Sequence, residues 1–193
     1  MKTVGITRCG WPLLLGAALL WGAAAATAQE PRDIAIRRLT YTATRTPEYT
    51  AKTKGALRER TRDWGEIVCL YETQPEFIND LEFTYYVIMK TRDNREPFVL
   101  LKGSITYVYV AKGRTQSTMY LHPSVLARFG SVEGIAVEVR SGGKLIAVET
   151  DGARGRDYQQ AIQQLPAKDN HVLPPSQTPF AMLGFDNNEM VKP

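Results

Sequence analysis

Cysteine is nearly absent from the 193 residues: there are two, Cys9 and Cys69. Cys9 falls in a stretch read below as a leader, so the rest of the chain keeps one thiol and can form no internal disulfide. Histidine is equally scarce, with His122 and His171 each standing alone. One cysteine and two distant histidines give no metal-ligand spacing. No nucleophile elbow or paired cysteine–histidine motif is present to build a catalytic triad. The stretch "RSGGK" reads as a hairpin turn and not as a strand-to-helix phosphate cradle. Neither sign of charge dominates: 24 Lys and Arg face 20 Asp and Glu, a formal net charge of +4. These shortages point away from enzymes, and from any metal or cofactor requirement.

Long apolar runs are also missing, except at the start. Lys2 and Arg8 form a basic region, "WPLLLGAALLW" (Trp11 to Trp21) an apolar core, and Ala26-Thr27-Ala28 a small-residue end before Gln29. That order is a secretory signal peptide, residues 1–28, with cleavage expected after Ala28. The apolar core is short for a membrane span of about 20 residues. A lipoprotein cysteine would follow the core, whereas Cys9 precedes it, and cutting after Gly10 gives no prepilin pattern. Export is therefore expected, to the periplasm, the outer membrane or the exterior, with no transmembrane span after cleavage. Cleavage leaves 165 residues (193 less 28) and lowers the net charge to +2 by removing Lys2 and Arg8. So small a surplus gives no argument for nucleic acid.

What the chain does have is strand pattern. Ile34, Ile36, Leu39 and Tyr41 mark a first strand whose alternation slips at Arg37-Arg38, which predicts a bulge. "WGEIVCLYET" (Trp64 to Thr73) and "LEFTYYVIMKT" (Leu81 to Thr91) are rich in β-branched and aromatic residues, and "QPEFIND" supplies turn residues between them. Cys69 alternates with Ile67 and Tyr71 and reads as a buried small hydrophobe. "PFVLLKGSITYVYVA" (Pro97 to Ala111) is too long for one flat strand, so Gly103 is expected to mark a bend or a switch between sheets. Lys112-Gly113 is then expected to turn the chain back. In "VEGIAVEVRSGGKLIAVET", Ile135, Val137 and Val139 alternate with Ala136, Glu138 and Arg140, and Ser141-Gly142-Gly143 turns into Leu145 to Thr150. That predicts a hairpin with one face to the core and one to solvent. About seven short strands with turn signals make an all-β, antiparallel sandwich over residues 29–166.

Two short helices are expected on it. "HPSVLARFG" places Pro123 at a first helical position and Gly130 at a stop, with His122 in a capping role. "DYQQAIQQLP" offers Asp157 as N-cap with Gln160 three residues on, a capping box. Tyr158, Ala161, Ile162 and Leu165 form its apolar stripe. Residues 167–193, with Pro174, Pro175, Pro179 and Pro193, read as an extended C-terminal arm. Phe180, Met182, Leu183 and Phe185 in that arm should not stay in water, so the arm covers its own domain or a neighbour.

Candidate functional residues are few. Lys52, Lys54, Arg58, Arg60 and Arg62 in "KTKGALRERTR" share one face if extended, as a charged edge strand or a contact for an acidic partner. Glu72, Glu76, Asp80 and Glu82 gather around one turn; an ordinary solvated hairpin end accounts for them without a glycosidase pair or a calcium loop. Tyr85, Tyr107, Tyr109 and Tyr120 sit among apolar neighbours and read as filling between two sheets, not as a stacking platform for sugars.

Three phrases carry a resemblance: "DWGEIVCLYETQPEFINDLEFTYYVIMK", "GSITYVYVAKGRTQSTMYLHPSVLARFG" and "TPFAML". The chain resembles the verrucomicrobial, Akkermansia-type pilus-associated proteins, a family of secreted proteins from type IV pilus-like gene clusters. The similarity runs from Ile34 to Phe185 and includes no catalytic motif. It implies an immunoglobulin-like sandwich and a part in a surface assembly or host contact. The ordinary secretory leader departs from a pilin leader and favours an accessory over a filament core. The expected function is a non-enzymatic structural or accessory component acting through protein–protein contacts or self-association. The alternative is a soluble recognition module for a glycan or host protein.

Overall fold

The computed structural model describes residues 33–47, 61–92, 95–183 and 190–192. The leader, Lys52, Lys54, Arg58, Arg60 and Phe185 lie outside the described residues. Within them, alternating β-branched and aromatic side chains give eight strands: β1 (Ile34–Arg45), β2 (Asp63–Ile78), β3 (Leu81–Lys90), β4 (Phe98–Tyr107), β5 (Val110–Leu121), β6 (Ser131–Ser141), β7 (Lys144–Asp151) and the two-residue β8 (Val172–Leu173). Helix α1 (Pro123–Phe129) and helix α2 (Tyr158–Gln164) are one to two turns each. Among the described residues no helix is long and apolar enough to cross a membrane.

The strands form two four-stranded sheets, in the orders β1-β2-β5-β8 and β4-β3-β6-β7, with every ladder antiparallel. The all-β sandwich read from the sequence is the observed architecture, with β8 as an addition from the arm. The inner faces meet in a core led by Ile67, Tyr71, Phe83, Tyr85, Met119 and Val137, all essentially inaccessible to solvent. Cys69 lies in the same core, where burial pushes its thiol up to about 12, with the Glu149 carboxylate adding to the effect.

Local signals were realised closely in places. The β1 ladder slips between Ile36 and Arg38, where a bulge is expected. Gly142 and Gly143 take φ of 54° and 80° in the β6–β7 turn, the left-handed pair that a tight hairpin needs. His122 caps α1, its Nδ1 accepting from the Ser124 N–H at 3.1 Å, and Pro123 opens the helix.

Elsewhere the structure corrects the reading. "QPEFIND" is not the turn: β2 runs through to Ile78, with Phe77 and Ile78 opposite Ala111 and Val110, and the chain reverses at Asn79-Asp80. The three residues after Thr73 form an irregularity that the Thr73 hydroxyl closes, donating to Ala111 O at 2.8 Å and accepting from Gly113 N–H at 3.1 Å. Lys112-Gly113 accordingly lies within β5 and does not turn the chain. The switch between sheets falls at Val108-Tyr109, where Tyr109 adopts φ of 56°, and not at Gly103. Gly103 is inside β4 for another reason: a Cβ there would sit 2.3 Å from the Val172 carbonyl oxygen. Asp157 makes no side-chain cap at α2, because residues 155–157 are already wound into a 3-10 turn. Finally, β6 is buried on both faces. Helix α2 lies over its outer side, packing Tyr158 and Ala161 on Tyr86, Ile88, Leu100 and Ala136. Glu138, buried beside them, is matched by the Arg140 guanidinium at 2.5 Å.

Candidate interaction surface

The C-terminal arm returns to the sandwich at three points. Lys168 bridges β4, its N–H donating to Leu100 O at 2.9 Å and its carbonyl accepting from Lys102 N–H at 3.0 Å. Val172 and Leu173 pair with Leu121 and Tyr120 of β5. Met190 and Lys192 come back to β4: Val108 N–H donates to Met190 O at 2.7 Å, and Lys192 N–H to Thr106 O at 2.8 Å. One segment thus ties together the edges of both sheets on one side of the sandwich.

Phe180 is the anchor between these points. Pro174 and Pro175 lead into a 3-10 turn whose end is fixed by Thr178, with its hydroxyl donating to Pro175 O at 2.8 Å and accepting from Phe180 N–H at 3.2 Å. This turn directs Phe180 inward, where it is 2% exposed. Its ring stacks on Tyr120 with centroids 4.3 Å apart and planes 4° from parallel, and meets Trp64 edge-on at 5.5 Å. The Tyr120 hydroxyl donates to Glu66 Oε1 at 3.1 Å; burial, then that carboxylate, holds the phenol well above its ordinary value. Trp64 Nε1–H donates to the Thr46 hydroxyl at 3.1 Å, which also binds the Arg62 backbone.

Of the four apolar arm residues singled out from sequence, the three that are described part company. Phe180 is buried, whereas Met182 and Leu183, two and three positions on, are 71% and 54% exposed. Of the basic run, Arg62 is described: its backbone extends the β1–β2 pairing opposite Thr46 and its side chain is exposed. The tyrosines also divide. Tyr85 and Tyr107 are buried, their hydroxyls donating to Ser117 O at 3.2 Å and Ser117 Oγ at 3.1 Å. Tyr109, expected in the core, is 71% exposed, because its left-handed backbone breaks the alternation that would have turned it inward.

Two exposed residues were not picked out from sequence as a pair. Phe77, 62% exposed, pairs with Ala111, two positions from Tyr109. An aromatic set among polar neighbours in "QPEFIND" was the available signal. The acidic residues between Glu72 and Glu82 are ion-paired in part. The Arg37 guanidinium at 2.7 Å, with Arg114 at 3.5 Å, holds the Glu72 carboxyl below its usual range, and Lys192 lies 3.5 Å from Asp80. Among the described residues, no group of three or more His, Cys, Asp or Glu side chains is placed to hold a metal ion.

Exposed apolar side chains thus stand near both ends of the β2–β5 ladder. Phe77 and Tyr109 stand at one, where Phe77 faces Ala111; Met182 and Leu183 follow the anchor at the other, where Glu66 faces Tyr120. A protein-family model matches residues 25–193 of the chain. A crystal structure of a protein from Akkermansia muciniphila shares the fold with a TM-score of 0.67 at 19% identity, over 80% of this chain and 90% of that chain. No curated protein matches the sequence.

Proposed function

The chain belongs to the family whose model spans residues 25–193, and from that premise, together with its resemblance to the Akkermansia-type pilus-associated proteins, we propose that it is a non-enzymatic accessory or structural component of a type IV pilus-like surface assembly. It acts through protein–protein contacts. The proposal includes export with cleavage after Ala28, an immunoglobulin-like domain over 29–166 and the arm over 167–193 as its C-terminal contact element.

The observation that carries the reading is the placement of apolar groups at opposite ends of the β2–β5 ladder. Single exposed hydrophobes are ordinary on protein surfaces. Pairs held on rigid supports at both ends of one long axis suit head-to-tail contacts, which build linear assemblies when the two surfaces differ. The Phe180 anchor fixes Met182 and Leu183 in place, so docking them costs little ordering entropy.

Affinity capture from native envelope with the tagged full-length protein, read by mass spectrometry, tests this. Pilus-like components should be recovered with wild type and reduced by Phe77→Ser with Tyr109→Ser, or by Met182→Ser with Leu183→Ser. Equal recovery with both double variants, or recovery of glycan-utilisation proteins in their place, would refute the assembly reading.

A further inference from the structure

Helix α2 and the start of β4 enclose a cleft of about 450 Å³, and a second hollow of about 460 Å³ adjoins it. Glu96, Val99 and Lys168 form the wall the two share. The floor of the first is aliphatic: Ile88, Leu100 and Ala161 are buried beneath it, and Gln160 and Gln164 of α2 present amides at its side. The rim is basic. Arg95, Arg154 and Lys168 line the first hollow, and Arg92 and Arg128 join Lys168 in the second. Glu96 and Asp157 are the acidic side chains that line them.

The state of these cations sets them apart. Among the described residues, ion pairs engage Arg37, Arg45, Arg114, Arg140 and Lys192. None engages Arg92, Arg128, Arg154 or Lys168. Instead the Arg154 guanidinium lies 4.0 Å over the Phe98 ring, and Arg128 and Lys168 each sit 5.1 Å from the Phe129 ring centre. Cation–π contact fixes the head groups while leaving their outward N–H donors available to an anion. Positioned guanidinium groups match carboxylates in bidentate geometry.

We infer that this groove binds an acidic segment of a partner protein, an extended peptide that sets carboxylates on Arg92, Arg128 and Arg154 and an apolar side chain on the Leu100–Ala161 floor. Two observations favour a peptide over an acidic polysaccharide. Sugars are commonly held on an open aromatic face, and here cations lie over Phe98 and Phe129. The aliphatic floor and the Gln160 and Gln164 amides suit an apolar side chain and peptide groups. The combination of apolar anchor and Arg cluster is the chemistry of acidic-motif recognition. This inference deepens the protein-contact reading by naming a partner's chemistry, on a surface separate from the exposed ends.

The test is fluorescence anisotropy on the full chain with a short labelled peptide alternating glutamate and leucine. A lysine–leucine peptide and heparin serve as comparisons. The glutamate–leucine peptide should bind at least about tenfold more tightly than the lysine–leucine peptide, and weaken steeply as salt is raised. Arg128→Glu with Arg154→Glu should reduce its affinity by about tenfold or more. Because those two changes also remove ring contacts, Arg92→Glu, which touches neither ring, is measured beside them and should weaken binding in the same direction at an unchanged melting temperature. Failure of the acidic peptide to bind, or binding indifferent to all three changes, overturns the inference. So does tighter binding of heparin that the same variants abolish, which would make the site one for polysaccharide. Envelope capture separates this from the assembly reading. Pilus-like components retained by the charge-reversed variants overturn the groove and leave the assembly intact, whereas their loss supports the groove. If wild type recovers none, the assembly reading fails and the peptide measurements alone decide the groove.

Discussion

Replacing Phe180 by Ala tests whether the arm is held by one ring. A buried aromatic removes about 150–250 Å² from water, which at about 25 cal/mol per Å² is about 4–6 kcal/mol as an upper bound. Denatured chains already bury part of that area, so about 3–5 kcal/mol is the expected cost if the arm stays in place around a cavity. The geometry allows a second response. Phe180 lies on a segment joined to β5 by a two-residue ladder, so the arm can detach and cap the loss at its own docking free energy. Trp64 distinguishes the two, since Phe180 packs against it in a T-shaped contact. In a chain lacking residues 1–28 it is the only tryptophan. Detachment should shift Trp64 emission to the red under native conditions, whereas a cavity should leave it nearly unchanged. A loss of about 3 kcal/mol should lower Tm by about 6–12 °C in a chain of this size. Met182→Ala, at an exposed position, should change stability by less than about 0.5 kcal/mol. If Phe180→Ala melts with wild type and Trp64 emission is unmoved, the anchoring role assigned to the ring is wrong.

Other substitutions probe single features. Tyr107→Ala should cost about 3–5 kcal/mol in urea unfolding, whereas Tyr109→Gly should stabilise by about 1 kcal/mol by relieving the left-handed backbone. Gly103→Ala should destabilise by about 1–3 kcal/mol, because the new methyl must displace Val172, and amide exchange at Val172 and Leu173 should rise with it. Cys69 should resist iodoacetamide at mildly alkaline pH until the protein unfolds. Its folded thiol is raised to about 12, above the unfolded value, so its contribution to stability is complete below the unfolded pKa. That contribution falls as pH rises towards 12; rapid labelling of the native protein would contradict this.

What was legible in the sequence was local. The β1 bulge follows from two adjacent arginines breaking an apolar alternation, and the β6–β7 turn from two glycines between strand runs. Pro123 and Gly130 bracket α1 by their own backbone limits. Features set by distant partners were not legible. Gly103 answers to Val172, 69 positions on (172 less 103), and nothing nearby in sequence marks that approach. The polar alternation of β6 predicts a wet outer face, but Ala136 is covered by α2, which arrives later in the chain, and Glu138 is buried with Arg140 as its partner. Tyr109 shows the same limit in reverse. Its neighbours are strand-like, yet the crossing between sheets gives it a backbone conformation that sends its ring outward. For the interaction surface, composition identified the apolar arm but could not say which ring would be inside. That depended on Thr178 and Pro175 turning Phe180 towards Trp64.

The way the arm laces both sheets also bears on the order in which the molecule assembles. Lys192 and Asp80 are 112 positions apart, so the contact that joins them closes one of the longest loops in the chain. Closing such a loop costs entropy before its few bonds repay it, which favours late formation of contacts of that kind. The sandwich can therefore nucleate on its hairpins, β3 with β4 and β6 with β7, while its other side is still open. Lacing comes last. By the same reasoning, strengthening or weakening the arm acts chiefly on how fast the protein unfolds and little on how fast it folds. The arm is a setting on the lifetime of the native state, one that a partner gripping it could adjust without touching the core.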